Sequence, residues 1–274
     1  MAIVQTHTHA AAAPASAKSV PKVRKLTLVD IAHALTEGFA DFRAKPMTHL
    51  PIIALIYPLA TAFGFLFVFN YDMLPLAFPI LSGSLLVGPL VTVGLYEMSR
   101  RIERGEDISG LQAFNFFHSR ALGDIAMLGL FLVALFFLWL ATAMTLFSVT
   151  LGDPWQLLPT ESVSLGEFVR QLFTTEQGWT LIAAGNLIGL VFAVVTLSVA
   201  VVSFPMLLDR EVSLATAMQT SARVMTVNPL MMAVWGLIVA ASMALGALPA
   251  LVGLCVVIPV LGHASWHLYK KAVV

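Results

Sequence analysis

This chain has little of what a water-soluble enzyme needs. Only 11% of its 274 residues are charged, against 59% hydrophobic, and the mean hydropathy is +0.90. That balance excludes an ordinary soluble domain and reads as a polytopic membrane protein. Cysteine is almost missing: a lone Cys255 rules out an intrachain disulfide, and its mid-span place reads as a small apolar side chain. The sequence contains no phosphate loop, GxGxxG, HExxH or GxSxG, so no standard catalytic motif argues for an enzyme. Outside the apolar stretches there is no basic stripe interleaved with aromatics, and nucleic acid is not an expected partner.

What the chain has instead is long apolar runs. Six stretches approach or exceed the roughly 20 residues that cross a bilayer as helix: Met47–Phe69, Leu74–Met98, Ile125–Val149, Thr180–Leu208, Leu230–Leu248 and Ala250–Tyr269. Lipid offers the backbone no hydrogen-bond partners, so each run is expected to be helical. Pro58, Pro89 and Pro259 fall inside these runs and are expected to bend them. The short Leu248-Pro249 connection makes the last two spans a hairpin.

The formal net charge is zero, from 15 basic and 15 acidic residues, but the basic ones are segregated. They fall 6, 4, 2 and 2 in the tail, between spans two and three, between four and five, and after six, leaving Arg170 alone on the other side. The positive-inside rule then puts both termini in the cytoplasm. Residues 1–26, which include "THTHAAAAPASAKSVPKVRK", lack an apolar run of signal-peptide length and read as a disordered cytoplasmic tail. His7 and His9 in that tail have no fixed geometry and do not read as a metal site.

The remaining chain, 27–274, reads as one membrane domain built from three parallel repeats, about 27–104, 105–210 and 211–274. Each repeat is an interfacial amphipathic helix followed by two spans. The first helix starts at Thr27 with Asp30 and carries Ile31, Leu35, Phe39 and Phe42 on one face; the second starts at Ser109 with Gln112 and carries Leu111, Phe114 and Phe117. The third starts at Ser213 and carries Leu214, Met218 and Met225. These starts match N-caps and capping boxes, and the helices over 28–44, 110–122 and 213–226 are expected to lie along the membrane interface or pack beneath the bundle. "RAKP" and "TVNP" (Arg43–Pro46, Thr226–Pro229) end two of them. Elsewhere, "GNLIG" (Gly185–Gly189) permits close helix packing, with Asn186 expected to bond a neighbouring helix. "SLGEFVRQLF" (Ser164–Phe173) reads as an outer interfacial helix.

Aligning Pro89 with Pro259 places "PLVTVGLYEMSRR" over "PVLGHASWHLYKK". Tyr96 then meets Trp266, Glu97 meets His267, and Arg100 and Arg101 meet Lys270 and Lys271. Rings at headgroup level with cations beyond are what a cytoplasmic interface requires. "LVGPLVTVGLYEMSRRIERGE" (Leu86–Glu106) and "PVLGHASWHLYK" (Pro259–Lys270) resemble the bacterial membrane family catalogued as domain of unknown function 2189, and the likeness is read over nearly the whole chain after the tail. The resemblance implies a multi-span helical fold in a bacterial inner membrane, and it implies no reaction or substrate. It marks Gly88, Pro89, Tyr96, Glu97, Arg100, Arg101, His263, Trp266 and His267 as matching motif positions.

His263 and His267 lie one helical turn apart and share a face. With Glu97 and His49 at similar depth, they form the candidate site, a polar cluster that would bind a metal ion or haem or pass protons. The plainer reading pairs Glu97 with Arg100 or Arg101 and the histidines with backbone or headgroups. Three functions stay open: a non-enzymatic scaffold or accessory protein contacting membrane proteins or lipid, a small-solute transporter or channel, and a metal- or haem-binding protein. The first is the leading expectation, with no cofactor, because ionisable residues sit near span edges and not at midplane.

Overall fold

A computed structural model describes residues 21–44, 46–49, 74–106, 108, 110–152, 165–248 and 251–274. Among them the chain is all helix, joined by one isolated antiparallel bridge between Val23 and Val273. In chain order the helices are α1 (Leu28–Ala44), α2 (Leu74–Val91), α3 (Val93–Glu103), α4 (Leu122–Leu151), α5 (Leu165–Thr174), α6 (Glu176–Ala200), α7 (Ser203–Asp209), α8 (Leu214–Val227), α9 (Pro229–Ala247) and α10 (Leu254–Ala272). Two 3-10 turns, η1 (Pro46–His49) and η2 (Gly110–His118), lie between them.

Four helical stretches are long and apolar enough to cross a membrane: Phe78–Glu103, Leu122–Leu151, Glu176–Asp209 and Pro229–Ala247. They correspond to the second to fifth expected spans. Residues 50–69 of the first lie outside the described residues, and so does Pro249 in the last hairpin. The sixth run is helical in α10, but it is not among the four, because its second half carries His263, His267, Lys270 and Lys271. Around it the largest buried cluster gathers, including Trp266, Leu268, Tyr269 and Ala272. Among the described residues four candidate spans stand, and the expectation of six spans in three repeats goes beyond them.

Prolines shape the long stretches unequally. The stretch Glu176–Asp209 breaks between α6 and α7 at Val201 and Val202, one turn before Pro205, whose missing N–H cannot bond the Val201 carbonyl. The stretch Phe78–Glu103 breaks at Thr92, three residues past Pro89, where Leu95 N–H turns to the Thr92 carbonyl at 2.9 Å. Pro259, by contrast, stays inside an unbroken α10.

The amphipathic helices bury a different stripe from the one their large residues suggest. In α1 the buried residues are Ile31, Ala34, Gly38 and Asp41, while Leu35 is half-buried and Phe39 is 46% exposed. In α8 they are Ala217, Thr220, Ser221 and Val224, with Leu214, Met218 and Met225 half-buried. Small side chains let two backbones approach, and the larger ones then flank the contact. A Cβ on Gly38 would lie 2.5 to 2.8 Å from backbone and side-chain atoms of Ala264. So α1 packs along α10, running antiparallel to it: Glu37 bonds Lys271, Asp41 bonds His267, and His49 bonds His263. The second interfacial element is a 3-10 helix over Gly110–His118 and not an α-helix to residue 122; Leu111 and Phe117 are exposed on it.

Capping follows the sequence where it is described. Thr27 and Asp30 form a reciprocal box: Asp30 N–H donates to Thr27 Oγ1 at 3.2 Å, and Thr27 N–H to Asp30 Oδ2 at 2.8 Å. Ser213 Oγ accepts from Thr216 N–H. Ser109, Ser164 and the side chain of Gln112 lie outside the described residues. Gly189 packs near Trp139 of α4, which suits packing within the bundle, whereas Asn186 is exposed and its amide donates to Ile182 O of its own helix. An acceptor one turn back takes its amide, and it bonds no other helix among the described residues.

The chain just before α1 is pinned to the C-terminus. Lys22 N–H donates to Val274 O at 3.2 Å and Arg24 N–H to Ala272 O at 2.9 Å. Asn228, buried between α8 and α9, accepts from Leu26 N–H at 2.7 Å and donates to Arg24 O at 3.0 Å.

Candidate functional site

The antiparallel packing of α1 on α10 brings two matched pairs face to face. Glu37 and Asp41 are four residues apart on α1, and His263 and His267 are four apart on α10, so each pair lines one helix face. His267 Nε2 donates to Asp41 Oδ2 at 2.8 Å, while its Nδ1 lies 3.4 Å from Glu37 Oε2. Lys271 Nζ completes the outer end at 2.9 Å from Glu37 Oε2.

From Asp41 the contacts continue inward. Ser99 Oγ of α3 lies 2.9 Å from Asp41 Oδ2 and 2.6 Å from His263 Nδ1. His263 Nε2 lies 2.8 Å from His49 Nε2, and His49 Nδ1 donates to the Pro46 carbonyl at 3.2 Å. Both inner histidines have 0% exposure, whereas the Glu37 side chain is 43% exposed. A continuous polar chain therefore runs from the partly exposed Glu37 inward to the buried His49, and low-dielectric burial strengthens its inner bonds.

Three of the four expected cluster residues, His49, His263 and His267, are thus in one chain. Glu97 is not. Its Oε2 lies 2.6 Å from Arg100 Nη2, and its Oε1 accepts from Arg101 Nε at 2.8 Å. Two cations at i+3 and i+4 reach it without any other helix, which neutralises a carboxylate that is 1% exposed, Oε1 through a hydrogen bond and Oε2 through charge alone. Arg100 also donates to Leu208 O at 2.9 Å, tying α3 to α7. Tyr96 bonds Thr92 through their hydroxyls at 2.7 Å. Trp266 is fully buried, with Lys270 Nζ 5.6 Å from its ring centre.

Asp41, Ser99 and Glu37 were not anticipated. A legible signal existed for the acids, since the Glu37/Asp41 spacing mirrors the His263/His267 spacing; Ser99 carried none.

The geometry is that of hydrogen bonding. Two histidine nitrogens on one tetrahedral zinc, each about 2.0–2.1 Å from it, would stand roughly 3.3 Å apart. The two ring nitrogens here are 2.8 Å apart, the length of a shared proton. Among the described residues no group of three or more His, Cys, Asp or Glu is placed to hold a metal ion.

A second feature is apolar. A cleft of about 820 Å³ opens between the membrane-crossing helices, lined by residues such as Leu85, Ala193, Trp235, Gly236 and Leu254, with Gly88 and Pro89 at its wall. Thr196 also lines it, and its buried hydroxyl has no partner among the described residues.

Residues 77–209 match the family model described as predicted integral membrane protein (DUF2189). The match covers just under half of the chain, which is similar to that family there. The region runs from α2 through α7 and takes in Gly88, Pro89, Tyr96, Glu97, Arg100 and Arg101. It stops short of His263, Trp266 and His267, so the likeness is narrower than the reading over nearly the whole chain. The polar chain consequently draws only Ser99 from the matched region, and its other members from the flanks. No curated protein and no solved structure matches the chain.

Proposed function

We propose that this membrane protein is non-enzymatic and works through contact with lipid, holding an acyl chain in its apolar cleft. The cleft carries the reading. Its volume, about 820 Å³, falls within that of small-molecule sites, which are mostly apolar with a few polar groups. An acyl chain asks only for apolar walls, which Leu85, Trp235 and Leu254 offer, while Thr196 supplies one free hydroxyl at the wall. A charged solute would need charged partners, and among the described residues the lining offers only hydroxyls, such as those of Ser84, Thr196 and Ser265, on otherwise apolar walls. In the polar chain beside it, Asp41, Ser99, His263 and His49 bond one another.

The segregation of basic residues along the sequence supports the reading that both termini lie in the cytoplasm, at a bacterial inner membrane. Reporter fusions after residues 72, 160 and 274 are expected to read outside, outside and inside.

Photo-reactive phospholipids carrying the reactive group on an acyl chain test the lipid reading. Labelling is expected at cleft residues such as Gly236 and Leu85 as well as on outward residues such as Leu237. Label confined to outward residues overturns it. So does an efficient disulfide between cysteines placed at Gly236 and Ala60 in a Cys255→Ser background, because the chain itself would then fill the cleft. Solute uptake by reconstituted vesicles would favour a transporter instead.

A further inference from the structure

The apolar cleft is not uniform along its length. Four hydroxyl-bearing residues, Thr92, Tyr96, Thr196 and Ser265, line one end of it. That is the end at which the helices carry charge: Arg100 follows Tyr96 by one turn on α3, and Lys270 follows Ser265 on α10. Thr196 stands close to the break that separates α6 from α7. At the other end the walls are apolar, formed by Ile80, Met243, Leu251 and Leu254. From Ile80 to Thr92 and from Leu254 to Ser265 the helical rise gives a length of about 16–18 Å. Half of a hydrocarbon core is about 15 Å, so the cleft is as long as one leaflet is deep.

Thr196 sets the polar end apart. On α2, α4 and α6, the hydroxyls of Ser82, Thr142, Thr145 and Ser198 each donate to the carbonyl four residues back. That bond satisfies a hydroxyl in lipid without any neighbour. Thr196 does not make it. The residue is 4% exposed, its hydroxyl has no partner among the described residues, and it lines the cleft. A buried donor left unbonded costs free energy that an acceptor entering the cleft would recover.

We infer that the cleft holds a phospholipid of the leaflet at the charged end, with an ester group beside Thr196 and the acyl chain pointing towards Leu254. The inference rests on the lipid reading above and adds which lipid it is and which way round it lies. The group at Thr196 is uncharged, because among the described residues no Asp, Glu, Lys, Arg or His lines the cleft, and a free carboxylate there would be a buried, unpaired charge. An ester brings carbonyl oxygens that accept from a hydroxyl and brings no charge. The charged headgroup then stays outside the cleft. Phe114 and Phe117 of η2 line the cleft, and Arg120, just beyond them in the chain, has a side chain 95% exposed. Rings with a cation beyond them are what the headgroup level requires.

Two photo-reactive phospholipids test the direction with the full chain in nanodiscs, one carrying its diazirine next to the ester and the other at the free end of the acyl chain. The ester-side probe is expected to label chiefly around Thr196 and Ser265, and the chain-end probe around Met243 and Leu254. The reverse pattern, or the same pattern from both probes, overturns the inference and leaves the lipid reading standing. No label in the cleft from either probe overturns both. Thr196→Val keeps the shape and removes the hydroxyl, and cleft labelling by the ester-side probe is expected to fall about fivefold, the loss of one neutral hydrogen bond. Ser84→Ala is expected to leave labelling unchanged, since that hydroxyl already donates to the Leu81 carbonyl. Equal labelling of Thr196→Val and the unaltered protein also overturns the inference. If Thr196→Val does not fold, the pattern from the two probes decides by itself.

Discussion

Glu97 on α3 and His267 on α10 stand at matching places in two segments of similar sequence, each followed by a basic pair. Glu97 is neutralised within its own helix by Arg100 and Arg101. His267 reaches a different helix, where Asp41 and Glu37 lie opposite. In the first case a buried charge is solved by local spacing and needs no fold. In the second the partner lies 226 residues away in sequence, so the bond exists only if α1 docks on α10. The difference separates a residue that tolerates the bundle from one that holds it together.

The sharpest way to break the comparison is to remove one acid from each side. Asp41→Ala strips His267 and Ser99 of their partner, and losing one member of a buried ionic set costs roughly 3–5 kcal/mol; the low end is expected, since the Asp41 side chain is 12% exposed. Glu97→Ala leaves Arg100 its Leu208 carbonyl and Arg101 its pair with Glu106, so about 1–2 kcal/mol is expected. Thermal unfolding in detergent should order them so. Equal losses would mean that α1 docking is not what His267 secures.

A purely steric change tests the same docking without touching charge. Gly38→Ala puts a methyl against the Ala264 backbone, for which overpacking costs roughly 1–3 kcal/mol. Gly88→Ala, where an added Cβ meets nothing within 4 Å, should be near neutral in the same assay.

The start of α1 offers a pH test. Burial pushes the Asp30 carboxyl up, but bonds from Arg24 and Thr27 outweigh it and hold it at about 2. A folded value below the unfolded one, about 3.9, contributes stability that is present above pH 3.9 and lost as pH falls through about 2. Because Arg24 is 43% exposed, the pair is screened, and Asp30→Asn should cost about 0.5–1 kcal/mol at neutral pH, most of it from the cap. Unfolding melts at neutral and acid pH should converge for the two proteins.

The smallest expected effect is a coupling energy. Glu97→Gln and His267→Ala share no contact in the structure, so a double-mutant cycle should be additive within about 0.5 kcal/mol. A larger coupling would join the two regions into one site.

How much could be read beforehand follows the same division. The long apolar runs specified helices because lipid leaves the backbone no other partner, and α4, α6 and α9 formed where expected. The Thr27/Asp30 box was legible because its atoms lie three residues apart. The plain pairing of Glu97 with its own arginines was legible for the same reason. The buried stripes of α1 and α8 were legible only in part: Ile31 is buried as expected and Leu35 and Met218 pack at the edge of the core, but Phe39 is exposed and the small Ala34, Gly38 and Ala217 are buried instead. Periodicity measures what avoids water, and in a membrane large apolar residues can face lipid while small ones face protein.

By itself, then, the sequence determined a helical membrane protein, its caps and its local ion pairs, all properties of neighbours along the chain. Tertiary structure decided that Glu37 and Asp41 face His267 and His263, that Ser99 lies between Asp41 and His263, and that His49 meets His263. Those partners come from three separate parts of the chain. Only the close approach that Gly38 permits at Ala264 brings α1 and α10 near enough for acids on one to meet histidines on the other.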